Sequence, residues 1–199
     1  IYFFSGDQYW KYSEESHDIE YIKNITVGFG IPPPSQPQPA ITQTVPIQCN
    51  SSGNFVDGTF IGGPNGKTVY FFRDNKYFVW DYTQRNNSSK GLTNITPSLI
   101  SANFIGVPDN IDSVFKRTRI DDATKNNKIY FFKGQYVYRY DNATKRVEFR
   151  GKISDHWRGI PNCIDAVFQR SSRTGDNGEG IIYFFKGDKY YRYVDGNVE

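Results

Sequence analysis

The stretch Ile129-Tyr-Phe-Phe-Lys-Gly-Gln-Tyr-Val-Tyr-Arg-Tyr140 decides the fold of this chain, because it is one of four similar copies within 199 residues. The other copies run from Ile1 to Tyr12, from Val69 to Trp80 and from Ile182 to Tyr193. Each copy has two runs of aromatic and β-branched residues on either side of a short turn that contains Gly, Asp or Asn. This pattern predicts a β-hairpin with a tight turn.

Two shorter phrases flank the hairpins in a fixed order. An inner-strand phrase, with apolar–Asp–x–x–Phe at its end, precedes three of them at 55–60, 110–115 and 163–168. A phrase that ends in Gly-Ile-Pro or Gly-Val-Pro follows three of them at 28–32, 103–108 and 156–161, and it stops a short, weakly helical piece. A small sheet with two apolar faces must stack against its copies, and a ring of such sheets is a propeller.

The sequence therefore predicts an all-β fold, a four-bladed β-propeller with short helices between the blades. Blade one covers 1–34 and lacks its inner strand, and blade four covers 161–199 and lacks its outer end. Blades two and three cover 49–107 and 108–160, and a Pro/Gln-rich linker occupies 35–48. In an alternative register, 1–34 ends one propeller and Cys49 begins another.

The composition agrees with a strand-rich fold and excludes several classes of function. Aromatic residues make up 17% of the chain, and such residues favour strands. The net charge of +3 is too small to indicate nucleic-acid binding, and no apolar run is long enough to span a membrane. The composition leaves the oligomeric state open.

The three phrases in this order resemble the hemopexin-like repeat, whose fold is a four-bladed propeller. In that family, backbone carbonyls of the inner strands ring ions in the central channel. The resemblance implies a calcium or sodium ion at Asp57, Asp112 and Asp165 and a second channel ion at Thr59, Val114 and Val167. Hard cations suit a ring of oxygen ligands. The alternative is that each Asp caps a turn and the channel holds water.

Six N-x-Ser/Thr sequons, against about two expected by chance, predict a secreted glycoprotein. The family resemblance implies a protein of the extracellular matrix. Polar turns rich in Asn and Ser are the alternative. The predicted glycosylation sites are Asn24, Asn50, Asn86, Asn87, Asn94 and Asn142.

A secreted setting permits the two cysteines, Cys49 and Cys163, to form a disulfide. In the family, a disulfide usually joins the start of the first blade to the end of the last. Here the two cysteines lie at the starts of blades two and four.

Basic residues follow the inner strands of two blades and predict a patch on one side of the disc that attracts a sulfated glycan or an acidic protein. They are Lys116, Arg117, Arg119, Arg170 and Arg173. Two solvated loops are the alternative.

The sequence does not predict an enzyme, since it has no zinc-protease motif and no nucleophile with a partner base. Haem is not predicted either, because His17 and His156 are the only histidines and nothing pairs them. The leading interpretation is a secreted, non-catalytic propeller that binds extracellular proteins or glycans. The alternatives are the substrate-recognition domain of a larger secreted metalloprotease and a carrier of haem or another small ligand.

Overall fold

The computed structural model describes residues 2–5, 7–13, 15–16, 18–31, 49, 56–63, 66–81, 96–118, 128–170, 180–194 and 196–198. Within these ranges the chain forms four antiparallel sheets, with a short helix after each of the first three. We call the sheets blades one to four in chain order. The prediction of an all-β, four-bladed propeller with short helices between the blades is confirmed.

Blade one has three strands and the other blades have four. Blade one contains β1 (Tyr2–Ser5), β2 (Gln8–Ser13) and β3 (Asp18–Asn24), followed by α1 (Ile25–Phe29). Blade two contains β4 (Gly58–Gly62), β5 (Thr68–Arg73), β6 (Lys76–Asp81) and β7 (Ser98–Leu99), followed by α2 (Ile100–Asn103). Blade three contains β8 (Ser113–Lys116), β9 (Lys128–Lys133), β10 (Tyr136–Asp141) and β11 (Arg146–Lys152), followed by α3 (Ile153–His156). Blade four contains β12 (Ala166–Arg170), β13 (Ile181–Lys186), β14 (Lys189–Val194) and β15 (Asn197–Val198). The predicted linker 35–48 lies outside the described residues, and the exact blade boundaries stay a prediction.

The four aromatic phrases form hairpins in one common register. Phe3 pairs with Trp10 in blade one, and Phe131 pairs with Tyr138 at the same place in blade three. The first turn residue of blades three and four is a glycine with a φ of 59°, and Asp74 takes the same left-handed conformation in blade two with a φ of 56°. This tight turn needs a positive φ, which explains Gly or Asp at that position.

Each inner-strand Asp in blades two to four holds the hairpin turn of its own blade. The carboxylate Oδ2 of Asp57 accepts the backbone N–H of Asp74 at 2.7 Å. Asp112 accepts from Gly134 at 2.5 Å, and Asp165 accepts from Gly187 at 2.6 Å. The carboxylates of these aspartates therefore cap turns, as the alternative interpretation expected. An ion at their backbone carbonyls stays a prediction.

The same turns anchor the helices and the next blade. The first backbone N–H of the helices, at Ile25, Ile100 and Ile153, donates to the turn carbonyls of Asp7, Asn75 and Gln135 at 2.7, 3.0 and 2.8 Å. Asn110 donates to the Asp74 carbonyl of the preceding blade at 2.6 Å, and Cys163 donates to that of Gly134 at 2.8 Å. One turn thus fixes its own inner strand, its own helix and the start of the following blade.

One buried aromatic residue from each helix-ending phrase fills the seam between two successive blades. The ring centroid of Phe29 lies 4.5 Å from Tyr9 of blade one and 4.8 Å from Phe71 of blade two. Phe104 and Trp157 hold the same position in the next two seams. Blade one therefore packs on blade two, which favours the single propeller over the register that separates 1–34 from Cys49.

We predict that Asp112→Ala lowers the free energy of unfolding by about 1–3 kcal/mol, because it leaves the Gly134 N–H without its acceptor in a buried place. Asp165→Ala is the matched control, since its side chain is 49% exposed and water can replace it. Urea titration of both variants measures the difference. An equal loss at the two positions contradicts the role given to burial.

Candidate functional site

A cavity of about 340 Å³ lies at the centre of the disc and is lined by all four blades. It is walled by the inner strands of blades two to four and by β1 of blade one. The lining includes Asp57, Thr59, Val114, Asp165 and Val167, which are five of the six residues predicted to hold channel ions. Asp112 is the equivalent of Asp57 in blade three. The structure thus brings five of the six predicted ion residues to one cavity, and the ion itself stays a prediction.

Burial disfavours the charged form of two carboxyl groups near this channel. Desolvation raises the pKa of Asp57 to about 7, although the Asp74 N–H works against the shift. Burial also raises the pKa of Asp112, and the hydrogen bond from Gly134 opposes it. In blade four, the ammonium of Lys186 lies 2.7 Å from the carboxylate of Asp165, the residue equivalent to Asp57 and Asp112. Each turn takes one oxygen of its Asp carboxylate, and among the described residues Oδ1 of Asp112 is buried without a hydrogen-bond partner.

The predicted disulfide between Cys49 and Cys163 is confirmed. It joins residues 114 positions apart, with their Cα atoms 5.2 Å from each other, and ties the start of blade two to the start of blade four. The two sulfurs and the Asp112 carboxylate lie within 4.8 Å of one another. Because both sulfurs are in the disulfide, neither is a thiolate that could bind a metal there.

Two further clefts open along the seams on either side of blade three, and we call them the seam clefts. The cleft between blades three and four has a volume of about 440 Å³ and is lined by Arg117, Tyr130, Val137, Arg139, Phe149, His156, Trp157, Tyr193 and Gly196. The cleft between blades two and three measures about 550 Å³ and includes Tyr70, Tyr77, Tyr140, Asn142, Lys116 and Lys145. Among the described residues that line them, no side chain is acidic.

Cations and rings alternate in the cleft between blades three and four. The guanidinium of Arg117 lies 5.7 Å from the ring centroid of Trp157 and 6.0 Å from that of Tyr130. Arg139 lies 5.3 Å from the Phe149 ring and also pairs with Glu148 at 2.7 Å. The imidazole of His156 packs edge-on against Phe149, with centroids 4.4 Å apart. Such stacking holds a cation against an apolar surface.

The predicted basic patch is only partly described. Lys116 lines the cleft between blades two and three, and Arg117 lines the cleft between blades three and four. Arg117 therefore also takes part in the packing of blade three on blade four. Arg170 ends β12 at the position equivalent to Arg117. Arg119 and Arg173 lie outside the described residues, as does His17. The patch stays a prediction.

Two of the six sequons lie in the described part of the chain. The side chain of Asn24 caps α1 by accepting the Thr26 N–H at 2.9 Å, and its Nδ2 donates to Asp7. Asn142 lies in the turn between β10 and β11 and lines the cleft between blades two and three. Asn50, Asn86, Asn87 and Asn94 lie outside the described residues, and glycosylation at all six stays a prediction.

Sequence reasoning missed the seam clefts, although the repeat contains their signal. Tyr140 and Tyr193 both end an aromatic phrase, and their hydroxyls donate to the carbonyls of Asn103 and His156 at 2.9 and 3.5 Å. Equivalent positions of the repeat therefore build equivalent clefts. Arg139 and Lys145 also line these clefts, and their spacing along the chain does not indicate it.

Comparisons with known proteins agree with this architecture. A family model described as Hemopexin matches residues 1–33 and 120–162. The hatching enzyme of Paracentrotus lividus is 25% identical over 196 residues, covering 98% of this chain and 26% of that protein. Vitronectin of Homo sapiens is 40% identical over 75 residues, covering 38% of this chain and 14% of that protein. This chain therefore spans only a minor part of either relative.

Solved structures show the same fold. A hemopexin fold protein, CP4 from cow pea, aligns with a TM-score of 0.64 and 22% identity, covering 100% of this chain and 86% of that one. Fold and channel together define a four-bladed propeller domain. The family match, the similarity to vitronectin and the shared fold support a hemopexin-like repeat family for this chain, as its three phrases predicted.

None of the helices in the described residues has the length and apolar character to span a membrane.

We predict that reducing the disulfide lowers the free energy of unfolding by roughly 4–5 kcal/mol, since it closes a loop of more than a hundred residues. Urea titrations with and without reductant measure this, and the Cys49→Ser/Cys163→Ser variant serves as the control that reductant must not affect. A reductant effect of the same size in that variant, or none in the parent chain, contradicts the assignment.

Proposed function

We propose that this chain is a secreted, non-catalytic binding module, and that its seam clefts contact an acidic extracellular protein or a sulfated glycan. The observation that carries the proposal is the lining of the clefts, in which cations stand beside aromatic rings and no described lining residue is acidic. Aromatic and Arg side chains also dominate the energetics of protein interfaces. Vitronectin and interstitial collagenase of Equus caballus among the relatives support an extracellular setting.

The position of the clefts suits a large anionic partner better than a small one. We propose that a chain with several negative charges contacts Lys116 and Lys145 in one cleft and Arg139, beside its ion-pair partner Glu148, in the other. A polymer that contacts both clefts binds with higher overall affinity than one contact gives, because the second contact is intramolecular. A single small anion has no such advantage.

A second function, the substrate-recognition domain of a larger metalloprotease, is supported by the relatives named hatching enzyme and matrix metalloproteinase-17. The latter, from Homo sapiens, is 26% identical over 210 aligned positions that cover 98% of this chain. A His-Glu-x-x-His motif encoded ahead of these residues in the gene would select this function.

A cation in the central channel forms part of the proposal. The inner strands of blades two to four converge on one cavity, and the two buried carboxyl groups of Asp57 and Asp112 gain from a nearby positive charge. Backbone carbonyls of the inner strands would hold the ion, and a calcium or sodium ion there would bind the blades to one another. Its role is structural.

We predict that Arg139→Gln/Lys145→Gln lowers the salt concentration at which the chain elutes from immobilised heparin. Arg158→Gln/Lys152→Gln removes the same charge from exposed positions outside both clefts and should elute as the parent does. Equal shifts in the two pairs would show attraction by net charge alone, and no shift in the first pair would contradict cleft binding. Arg119→Ser/Arg173→Ser tests the basic loops separately.

We predict that calcium raises the free energy of unfolding, by about 2.7 kcal/mol at a concentration near 100 times its Kd. Thr59→Lys places an ammonium in the cavity and should abolish this gain, whereas Thr144→Lys, in an exposed turn, should keep it. Thermal unfolding with calcium, sodium or a chelator measures the effect. Equal gains in both variants would place the ion elsewhere.

A further inference from the structure

A buried hydroxyl distinguishes the cleft between blades two and three. Tyr77 lines this cleft and is only 9% exposed, yet within the described part of the chain its hydroxyl has no hydrogen-bond partner. Blade three has Val137 at the same place, since Phe72 pairs with Tyr77 as Phe132 pairs with Val137. Packing alone therefore does not require a hydroxyl here. An unpartnered buried hydroxyl is costly, so a ligand that accepts its hydrogen bond gains affinity.

Two more tyrosines, Tyr70 and Tyr140, line the same cleft. The ring centroids of Tyr70 and Tyr77 lie 6.2 Å apart. Burial raises the pKa of Tyr70 and Tyr140, and the nearby Tyr77 raises the pKa of both further. Because Tyr140 donates its proton to the carbonyl of Asn103 at 2.9 Å, the hydroxyls of Tyr70 and Tyr77 are the phenol donors that a ligand in this cleft can use.

The cleft also has two ammonium groups, those of Lys116 and Lys145. Lys145 donates to Oδ1 of Asn142 at 2.7 Å, and an ammonium has two further donors. Across the described ranges, neither lysine forms an ion pair with a carboxylate. In the cleft between blades three and four, by contrast, Arg139 is paired with Glu148. The charges of the two lysines therefore favour an anion in the cleft between blades two and three.

An accessible apolar wall lies beside these donors. Tyr70 is half-buried and stacks on Phe60, with ring centroids 4.8 Å apart and ring planes 9° from parallel. Ile105 lines the same cleft and is 56% exposed. The volume of about 550 Å³ is typical of sites for small ligands. Flat rings next to hydroxyl and ammonium donors suit a ligand that joins an aromatic ring to an anion, rather than an anion alone.

We propose that the cleft between blades two and three binds a sulfated tyrosine side chain of an acidic extracellular protein. The ring of that side chain packs on Tyr70 and Ile105. The three terminal oxygens of its sulfate accept hydrogen bonds from the Tyr77 hydroxyl and from the ammonium groups of Lys116 and Lys145, and hydrogen bonds to an anion are stronger than neutral ones. The inference rests on the proposed function for its extracellular partner and names the group that this partner inserts.

The test measures the fluorescence anisotropy of a labelled, capped peptide, Gly-Asp-Tyr-Asp-Gly, with its tyrosine sulfated or unmodified. The whole chain is used with Thr144→Ala, which removes the sequon of Asn142, so that no glycan covers the cleft. The sulfated peptide should bind saturably and at least about ten-fold more tightly than the unmodified one. A peptide with Glu in place of the sulfated tyrosine keeps the charge without the ring and should bind at least about ten-fold more weakly.

Three results of these titrations overturn the proposal. They are the absence of saturable binding at millimolar sulfated peptide, equal affinity of the sulfated and unmodified peptides, and equal affinity of the sulfated and Glu peptides. Tighter binding of a phosphotyrosine peptide than of the sulfated one assigns the cleft to a phosphorylated partner, which contradicts the choice of sulfate.

Variants of the chain locate the peptide. Tyr77→Phe removes the hydroxyl and keeps the ring, so it should weaken the sulfated peptide about ten-fold and leave the unmodified peptide unaffected. Tyr183→Phe removes a hydroxyl from β13, outside both seam clefts, and should leave the affinity unchanged. Lys116→Gln should weaken the sulfated peptide, whereas Lys152→Gln should not. Equal affinities within either pair of variants place the peptide elsewhere and overturn the proposal.

Elution from immobilised heparin separates this inference from the proposed function. If Arg139→Gln/Lys145→Gln lowers the salt needed for elution but the parent does not bind the sulfated peptide, the inference fails and the proposed function stands. If the sulfated peptide binds as described but heparin elution does not change in that variant, the inference is supported and the contact of a polymer with both clefts is contradicted.

Discussion

The propeller depends on the tight turn at the centre of each aromatic hairpin. In blade three this turn gives the Gly134 N–H to Asp112, the Gly134 carbonyl to Cys163 of the next blade and the Gln135 carbonyl to the first residue of α3. Three elements from two blades are therefore fixed by two residues, of which Gly134 takes a left-handed conformation, with a φ of 59°, that Gly adopts without strain. The carboxylate is costly to bury, as the raised pKa of Asp112 shows, but it satisfies an N–H that water reaches poorly.

Once the turns hold each blade, the seams follow from aromatic packing. Phe29, Phe104 and Trp157 each join the hairpin rings of two successive blades, so three seams are built on one plan. In the described residues no comparable buried cluster joins blade four to blade one, and Tyr190 of blade four remains 66% exposed. Aromatic packing therefore joins blades one to four in series through three described seams.

Much of this architecture was predictable because the repeat contains the hairpin phrase four times and each flanking phrase three times. The aromatic phrase predicted the hairpins, and the inner-strand phrase predicted the first strand of blades two, three and four. The pairing of Cys49 with Cys163 was also predicted, although the sequence could not show that Cys163 takes the left-handed place of Asn110, with φ values of 58° and 51°. The role of the Asp carboxylates was left between two alternatives, since carbonyl ligation leaves no side-chain pattern. The seam clefts were missed because Arg139 and Phe149 meet only across strands, and spacing along the chain does not show which cross-strand neighbours open to solvent.

Native-state hydrogen exchange of the turn amides tests the central role of these turns most directly. The account predicts that the amides of Asp74, Gly134 and Gly187 exchange slowly, because each donates to an inner-strand carboxylate, and that the amide of Asp188 in the exposed turn of blade four exchanges much faster. Protection should be lost at Gly134 alone in the Asp112→Ala variant. Exchange of all three turn amides at the rate of an unstructured peptide would contradict the account, because the blades would then be held together by something other than their turns.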